Sequence, residues 1–562
     1  MAAASDKDDK NFSEIIIIGG GIAGLSAAYH LVKNGVTDFK ILEARQKLGG
    51  RIDAAETGAH SVDLGASWIH GVLGNPIYEI AMTHGLIDII HMQRPHKVVA
   101  ALEDGSQVPF SVLQEIYEAY TCFLRRCEEY FLCQYLPPEG ITNVGDHICL
   151  EASLYLDKIK DEQERHMKKL IFNCLLKRET CITGCDNMTD IDLLELGSYT
   201  ELQGGNISLP TGYRSILKPI TSEIPDSNIL LNHTVDFIRW KNRESTNLTS
   251  PGYDSGIDLL ASGDTNNDSD SDKTVTEGNS RRNSVIERSS VEPESEKGVI
   301  SECSERVKEL GNIEVVCENG ARFLGNHAIC TIPLGVLKEK ALKMFSPKLP
   351  QEKLDSIKRL SFGTVNKIYL EYARPFLNPE VSEVLLLWDR SPDDDDISLS
   401  WFKKIYSFAK VTDTLILAWI SGREARYLET LPTAVIGEKC TQVLRKFLND
   451  PYIPLPKVCV VSKWFSDECF RGSYTAIAVG ASQVDIENIA QPIYGDIDHK
   501  KPVLLFAGEH THASFYSTVH GAYLTGRSAA QSLITHEENE IELTCNDTSD
   551  LSSWIQGISL DQ

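Results

Sequence analysis

Four consecutive isoleucines, Ile15–Ile18, form the first sustained apolar run of the chain. The run is too short to cross a membrane and too β-branched for a comfortable helix, so it predicts a buried central strand of a parallel sheet. Gly19, Gly21 and Gly24 follow in G-x-G-x-x-G spacing and lead into the apolar residues 25–32, a predicted helix. A second strand, Lys40-Ile41-Leu42, ends in Glu43. Asn75-Pro76 marks the start of another helix, and residues 209–213 lead into a helix and a strand at 234–238. Between about 109 and 196 apolar positions recur three and four apart, notably over 112–130 and 161–177, which predicts a helical block interrupting the first sheet. Strands are expected again at 313–316 and 328–331. Alternation over 366–372, with 383–388 and 415–420, predicts a second sheet, and 459–464 returns from it toward the first. Residues 503–507 read as one more buried strand, closed by Glu509, before a helix over 521–533.

The glycine spacing has a chemical meaning. The glycines permit a tight turn and bring bare backbone N–H groups up to a pyrophosphate, while the helix N-terminus faces its negative charge. Glu43 lies where a carboxylate at the end of the second strand accepts the hydroxyls of an adenosine ribose, favouring a free 2′-OH. Both NAD and FAD satisfy this much. The continuation Glu43-Ala44-Arg45, then Leu48-Gly49-Gly50-Arg51, favours the flavin, because a flavoprotein can use a second glycine turn and an arginine against the same pyrophosphate.

At 562 residues the chain is longer than one core usually serves, so two domains are expected. The formal charge of −25 argues against nucleic acid and anionic membranes as partners and for a field that draws cations. Residues 241–310 hold 15 acids against 9 bases and almost no aromatic residue, so 244–305 is expected to be a disordered insertion. Within it, Arg281-Arg282-Asn283-Ser284 reads either as a basic-directed phosphorylation string or as plain spacer. The 14 cysteines are scattered without C-x-x-C pairs, so no metal site and no disulfide framework is expected. No leader or membrane span is expected, and the last residues, Ser559-Leu560-Asp561-Gln562, lack a peroxisomal tripeptide. The expected location is the cytoplasm, with the nucleus also open.

The N-terminal run through Arg51, together with Ala507-Gly508-Glu509-His510 and Tyr516-Ser517-Thr518-Val519-His520-Gly521-Ala522 at the far end, resembles the flavin-containing amine oxidases. Trp68-Ile69-His70-Gly71 resembles their polyamine and spermine oxidase branch in particular. The resemblance implies an α/β, two-domain FAD-dependent amine oxidase fold: a Rossmann-like FAD-binding domain plus a mixed-sheet and helical substrate domain. The FAD-binding domain is expected from 14–80, 205–335 and 455–535, and the substrate domain from 81–204 and 336–454. A disordered N-terminus, 1–13, and an acidic tail, 536–562, flank them.

The resemblance also implies site residues. FAD falls to Gly19, Gly21, Ile22, Ala23, Gly24, Glu43, Ala44, Arg45, Gly50, Arg51, Ala66, Ser67, Trp68, Val235, Glu509, Thr518 and Val519. Lys367, which alone would read as an edge-strand lysine, matches a lysine that holds a water against flavin N5. His70 matches a histidine beside the reacting amine. Tyr474 matches one wall of the family's aromatic cage, and the opposite wall falls on Thr518. Ser473 stands where a covalent relative has cysteine, and Cys469 lies too early to substitute, which implies noncovalent FAD. The family's glutamate for a distal ammonium has no exact counterpart in Gly197-Ser198-Tyr199-Thr200-Glu201, so Ser198 and Glu201 are the candidates, with a plain surface acid the alternative for Glu201. The implied activity is oxidation of a polyamine beside a secondary amine, with O2 as oxidant. A histone-lysine demethylase of the same fold, or a non-catalytic flavoprotein-fold interaction protein, is the alternative. Oligomeric state is open.

Overall fold

The computed structural model describes residues 11–58, 60–87, 97–240, 311–389, 396–495 and 502–538, with side chains to 534. The expected insertion at 244–305 with its Arg281–Ser284 string lies outside the described residues, as do 1–10 and 539–562.

Ile15–Ile18 is the inner strand of a six-stranded sheet, flanked in parallel by Phe39–Leu42 and His327–Cys330. In space the order is Ile493–Tyr494, Pro502–Phe506, His327–Cys330, Ile15–Ile18, Phe39–Leu42, Ile229–Leu230, all parallel except the first. The isoleucines alternate between two cores. Ile15 and Ile17 pack under the helices Ile22–Lys33 and Val519–Glu538, whereas Ile16 and Ile18 face the antiparallel strands Val235–Trp240 and Ile313–Cys317. Burial on both faces explains why the run shows no polar alternation, and each such side chain contributes about 1.5–3 kcal/mol relative to exposure.

Two glycines fix how the helices sit. A Cβ at Gly24 would lie 2.0 Å from the Gly19 carbonyl oxygen, and one at Gly526 would lie 2.0 Å from that of Ala23. The fingerprint helix therefore presses directly on its own turn, and the closing helix presses on the fingerprint helix. Ser26 Oγ adds a hydrogen bond to the Tyr523 carbonyl at 2.7 Å.

The second six-stranded sheet runs Val458–Val461, Val365–Glu371, Leu415–Ser421, Ser407–Lys410, Val381–Leu387, Lys97–Leu102. Its one face packs on the helical block Phe110–Cys133, Val144–Leu156 and Glu162–Thr183; the other packs on Gly422–Leu428 and Thr433–Phe447. Among the described residues no helix is long and apolar enough to cross a membrane.

Three stretches sit differently from expectation. Phe12 bridges to Leu324 and the Ser13 N–H reaches the Leu324 carbonyl at 3.0 Å, so these two residues, expected in a disordered N-terminus, are paired with a strand. The helices Leu334–Met344 and Gln351–Arg359, expected on the substrate side from 336 onward, bury Leu337, Met344, Ile357 and Leu360 in the core shared with Ile16 and Ile18. Val458–Val461, expected with the first sheet, pairs instead with Val365–Glu371.

Gly526→Val should cost roughly 1–3 kcal/mol of stability through overpacking against the fingerprint helix. Chemical denaturation should show a lower midpoint at an unchanged slope.

Candidate active site

A cavity of about 2440 Å³ lies between the two large sheets and reaches from the fingerprint turn to the helical block. At one end it is walled by Gly19, Gly21, Ile22, Ala23, Glu43, Ala44, Gly50 and Arg51. Gly21 begins the helix Ile22–Lys33 with no side-chain cap, so the first N–H groups of that helix have no side-chain acceptor. Gly50, at φ +58°, lies so near Gly21 that a Cβ there would be 3.2 Å from the Gly21 Cα. Glu43 accepts the N–H groups of Gly20 at 2.7 Å and Arg45 at 2.8 Å, while burial pushes its carboxyl upward. Backbone donors, a bare turn and a terminal acid thus converge on one wall, which fits the adenosine and pyrophosphate of a dinucleotide.

The far end of the chain supplies the facing wall. Glu509 accepts from Arg51 Nη1 at 2.9 Å, Thr475 Oγ1 at 3.1 Å and the Ser517 N–H at 3.0 Å. Thr518 Oγ1 accepts the Gly521 N–H at 3.0 Å and so caps the helix Val519–Glu538, whose first residue lines the cavity. Burial holds the neighbouring His510 and His512 down to about 4, leaving these imidazoles neutral near pH 7. The positive end of the helix and Arg51 therefore supply the electropositive character there.

Lys367 sits in the middle of Val365–Glu371, paired with Trp419 across the strand. It is buried, and Nζ donates to the carbonyls of Asp63 at 3.0 Å and Gly65 at 2.6 Å and to Ser67 Oγ. Burial lowers its pKa to about 8, against the opposing pull of the Asp63 charge. An amine with that pKa exchanges protons near neutral pH, which an exposed lysine does not.

The other end of the cavity belongs to the helical block. His70 lines it; its Nδ1 lies 3.0 Å from Asn206 Oδ1, a partner that suits the tautomer with its proton on Nδ1 and an acceptor at Nε2. Tyr474 lines it too, its hydroxyl donating to the Cys181 carbonyl while burial raises its pKa. Glu128, Glu179, Glu195 and Glu201 all contribute to the wall. Burial raises the carboxyl of Glu179 to about 7, with Arg178 opposing and Glu128 adding to the rise; Glu128 is raised by burial and by Glu201. Tyr406 and Trp419 stack with ring centroids 6.5 Å apart, and both face the cavity.

Of the residues expected from sequence, Ala66, Ser67, Trp68, His70, Glu201, Val235, Lys367, Tyr474, Glu509, Thr518 and Val519 line this one cavity together with the fingerprint residues. Three expected residues do not reach its wall. Gly24 is a packing glycine, as its contact with Gly19 shows. Arg45 turns aside to the Gly50 carbonyl at 3.3 Å and Asp53 at 3.0 Å, bracing the second glycine turn. Ser198 is buried and spends its hydroxyl on the Glu195 carbonyl at 2.6 Å. Ser473 bonds the backbone of Val365 through both hydroxyl roles, at 2.8 and 3.0 Å. Sequence reasoning missed Glu128, Glu179, Tyr406 and Trp419. Glu128 carried a signal, lying four residues from both Leu124 and Leu132 on what is otherwise an apolar stripe.

Comparison with known proteins agrees with this geometry. The sequence profile of the flavin containing amine oxidoreductases matches residues 22–254 and 289–534. The peroxisomal N(1)-acetyl-spermine/spermidine oxidase of Homo sapiens is 28% identical, covering 93% of this chain and 94% of that protein. Probable polyamine oxidase 5 of Arabidopsis thaliana is 25% identical over 93% of this chain and 98% of its own length. A possible lysine-specific histone demethylase 1 of Drosophila melanogaster is 26% identical over 92% of this chain and 62% of its own length. A solved putrescine oxidase variant with redesigned cofactor binding shares the fold, with a TM-score of 0.61 at 14% identity over 93% of this chain and 99% of that one.

Lys367→Met gives a test independent of turnover. The native pKa of about 8 lies below the ordinary 10.5, so the unfolded chain binds the extra proton between those values and native stability rises with pH across that window. Melting curves should show the wild type gaining stability relative to Lys367→Met between pH 8 and 10.5. Parallel curves across that range would contradict the buried-lysine assignment.

Proposed function

The chain belongs to the family of flavin containing amine oxidoreductases, and from that premise we propose that it oxidises linear polyamines at a carbon beside a secondary amine. The observation that carries this reading is the single cavity running from a buried lysine on the cofactor side to a set of carboxylates on the helical wall. FAD supplies the hydride acceptor and, through O2, the route to hydrogen peroxide. Ser473, engaged with Val365 through both hydroxyl roles, stands where a covalent link would need a thiol, which supports noncovalent FAD.

The residues divide the work by position. Glu201, Glu179 and Glu128 offer negative charge to the ammonium groups of a flexible chain, and Tyr406 with Trp419 offers apolar wall to the methylenes between them. His70 Nε2 accepts a proton or an N–H from the amine nearest the cofactor. Lys367 holds the matching proton on the other side. All three of its hydrogen-bond partners are protein oxygens, so the water-holding role expected for it requires one to be exchanged. Ser67 is the only side chain among them and can turn its hydroxyl to donate instead. Burial of the site makes loss of a proton from the substrate amine easier, which readies its nitrogen lone pair.

The twelve described cysteines are all free, which supports a reducing compartment such as the cytoplasm. The demethylase-like relative leaves a methylated lysine peptide as the competing substrate.

Anaerobic mixing with spermine, spermidine or an acetylated form should bleach the flavin, and air should then release peroxide. Lys367→Met should slow that bleaching about 100-fold or more. Bleaching by benzylamine or a methyl-lysine peptide but by no linear polyamine would replace the reading.

A further inference from the structure

The two ends of the cavity meet at the side chain of Tyr516. Tyr199 and Thr200, on the substrate side, and Tyr516, Ser517 and Thr518, on the cofactor side, all line it. The Tyr516 ring meets Tyr199 edge to face at 5.6 Å, and its hydroxyl lies 3.4 Å from Ser198 Oγ. Just beyond, the Thr200 N–H donates to the Ser514 carbonyl at 2.8 Å. Side-chain and backbone contacts therefore fasten the segment 198–200 to the loop 514–516.

The next residue in the loop faces the cofactor. Ser517 donates its N–H to Glu509 at 3.0 Å and its hydroxyl to the Thr475 carbonyl, and Glu509 in turn holds Arg51 at 2.9 Å. Ser517 sits at φ +67°, a left-handed conformation that non-glycine residues adopt only when their surroundings impose it. A shift of Tyr516 cannot be absorbed by Ser517 without loosening the Glu509 contact. The base of the loop is fixed independently, because Gln483 bonds the Ala513 carbonyl through its side chain at 3.3 Å and Glu195 through its N–H at 3.0 Å.

We propose that Tyr516 is a positioning residue that couples occupancy of the substrate end to retention of FAD. A polyamine resting against Tyr199, Thr200 and Glu201 holds that segment, the segment holds Tyr516, and Tyr516 keeps Ser517 on Glu509. By linkage the effect is reciprocal: cofactor binding orders the substrate wall to the same degree. The inference rests on the linear-polyamine reading given above.

The test measures FAD release from the holoenzyme, followed by the fluorescence of free FAD after dilution, with and without a long linear alkane diamine that carries no internal secondary amine. The diamine should slow release from the wild type by roughly fivefold or more. In Tyr516→Leu the two rates should agree, whereas Tyr516→Phe, which keeps the ring on Tyr199, should retain most of the slowing. Tyr199→Leu removes the same ring pair from the other side and should behave like Tyr516→Leu; it decides the matter if the latter does not fold. Equal slowing in the wild type and the leucine variants overturns the coupling while leaving the substrate reading intact. A diamine that leaves the bound flavin's spectrum unchanged in the wild type overturns the substrate reading, and the coupling with it.

Discussion

The contact on which the architecture turns is the ion pair between Arg51 and Glu509, 2.9 Å apart in space and 458 residues apart in sequence. It joins the second glycine turn of the N-terminal fingerprint to the acid that ends the last strand of the same sheet. Glu509 is almost fully buried, so removing it from water is costly, and its attraction to Arg51 alone gives little net stability. The carboxylate is completed by the hydroxyl of Thr475 and the backbone of Ser517. Its role is therefore one of register: three segments from different parts of the chain meet correctly at one group or leave a buried charge unpaired.

That constraint explains why the fingerprint was readable and much of the site was not. The isoleucine strand, the glycines and the terminal acids are local patterns, each dictated by backbone sterics within a few residues, and they appear in sequence as they do in space. Lys367 is singled out through the family resemblance, because alone it reads as an edge-strand lysine. Its partners, however, are two backbone carbonyls and Ser67, some 300 residues away, and no periodicity announces a carbonyl. Arg45 shows the same limit from the other side. Its sequence position suits a phosphate, but Asp53 only eight residues on captures the guanidinium and turns it into a brace for Gly50.

The acidic wall illustrates the same limit differently. Glu201 drew notice because it stands near the place where a family glutamate would be, whereas Glu128 and Glu179 belong to helices whose surfaces carry many acids. Only the packing of the helical block against the second sheet selects which of those acids face inward. Helical spacing marked Glu128 as an acid in an apolar row, and Glu179 gave no comparable signal. The stacked pair Tyr406 and Trp419 is likewise a product of two segments, the residue before Ser407–Lys410 and the strand Leu415–Ser421, brought side by side.

The opposed shifts in this cavity follow from one cause. Burial disfavours whichever form is charged, so it lowers Lys367 to about 8 and raises Glu179 to about 7. Near pH 7 Glu179 thus lies close to its midpoint, while Lys367 is still mostly protonated and releases its proton as the pH rises through 8. Positive charge brought to the acidic wall favours ionisation of Glu179, whereas positive charge brought beside Lys367 meets an ammonium and lowers its pKa further. Burial thereby makes the two ends of the cavity unlike: positive charge is favoured among the glutamates and disfavoured beside Lys367.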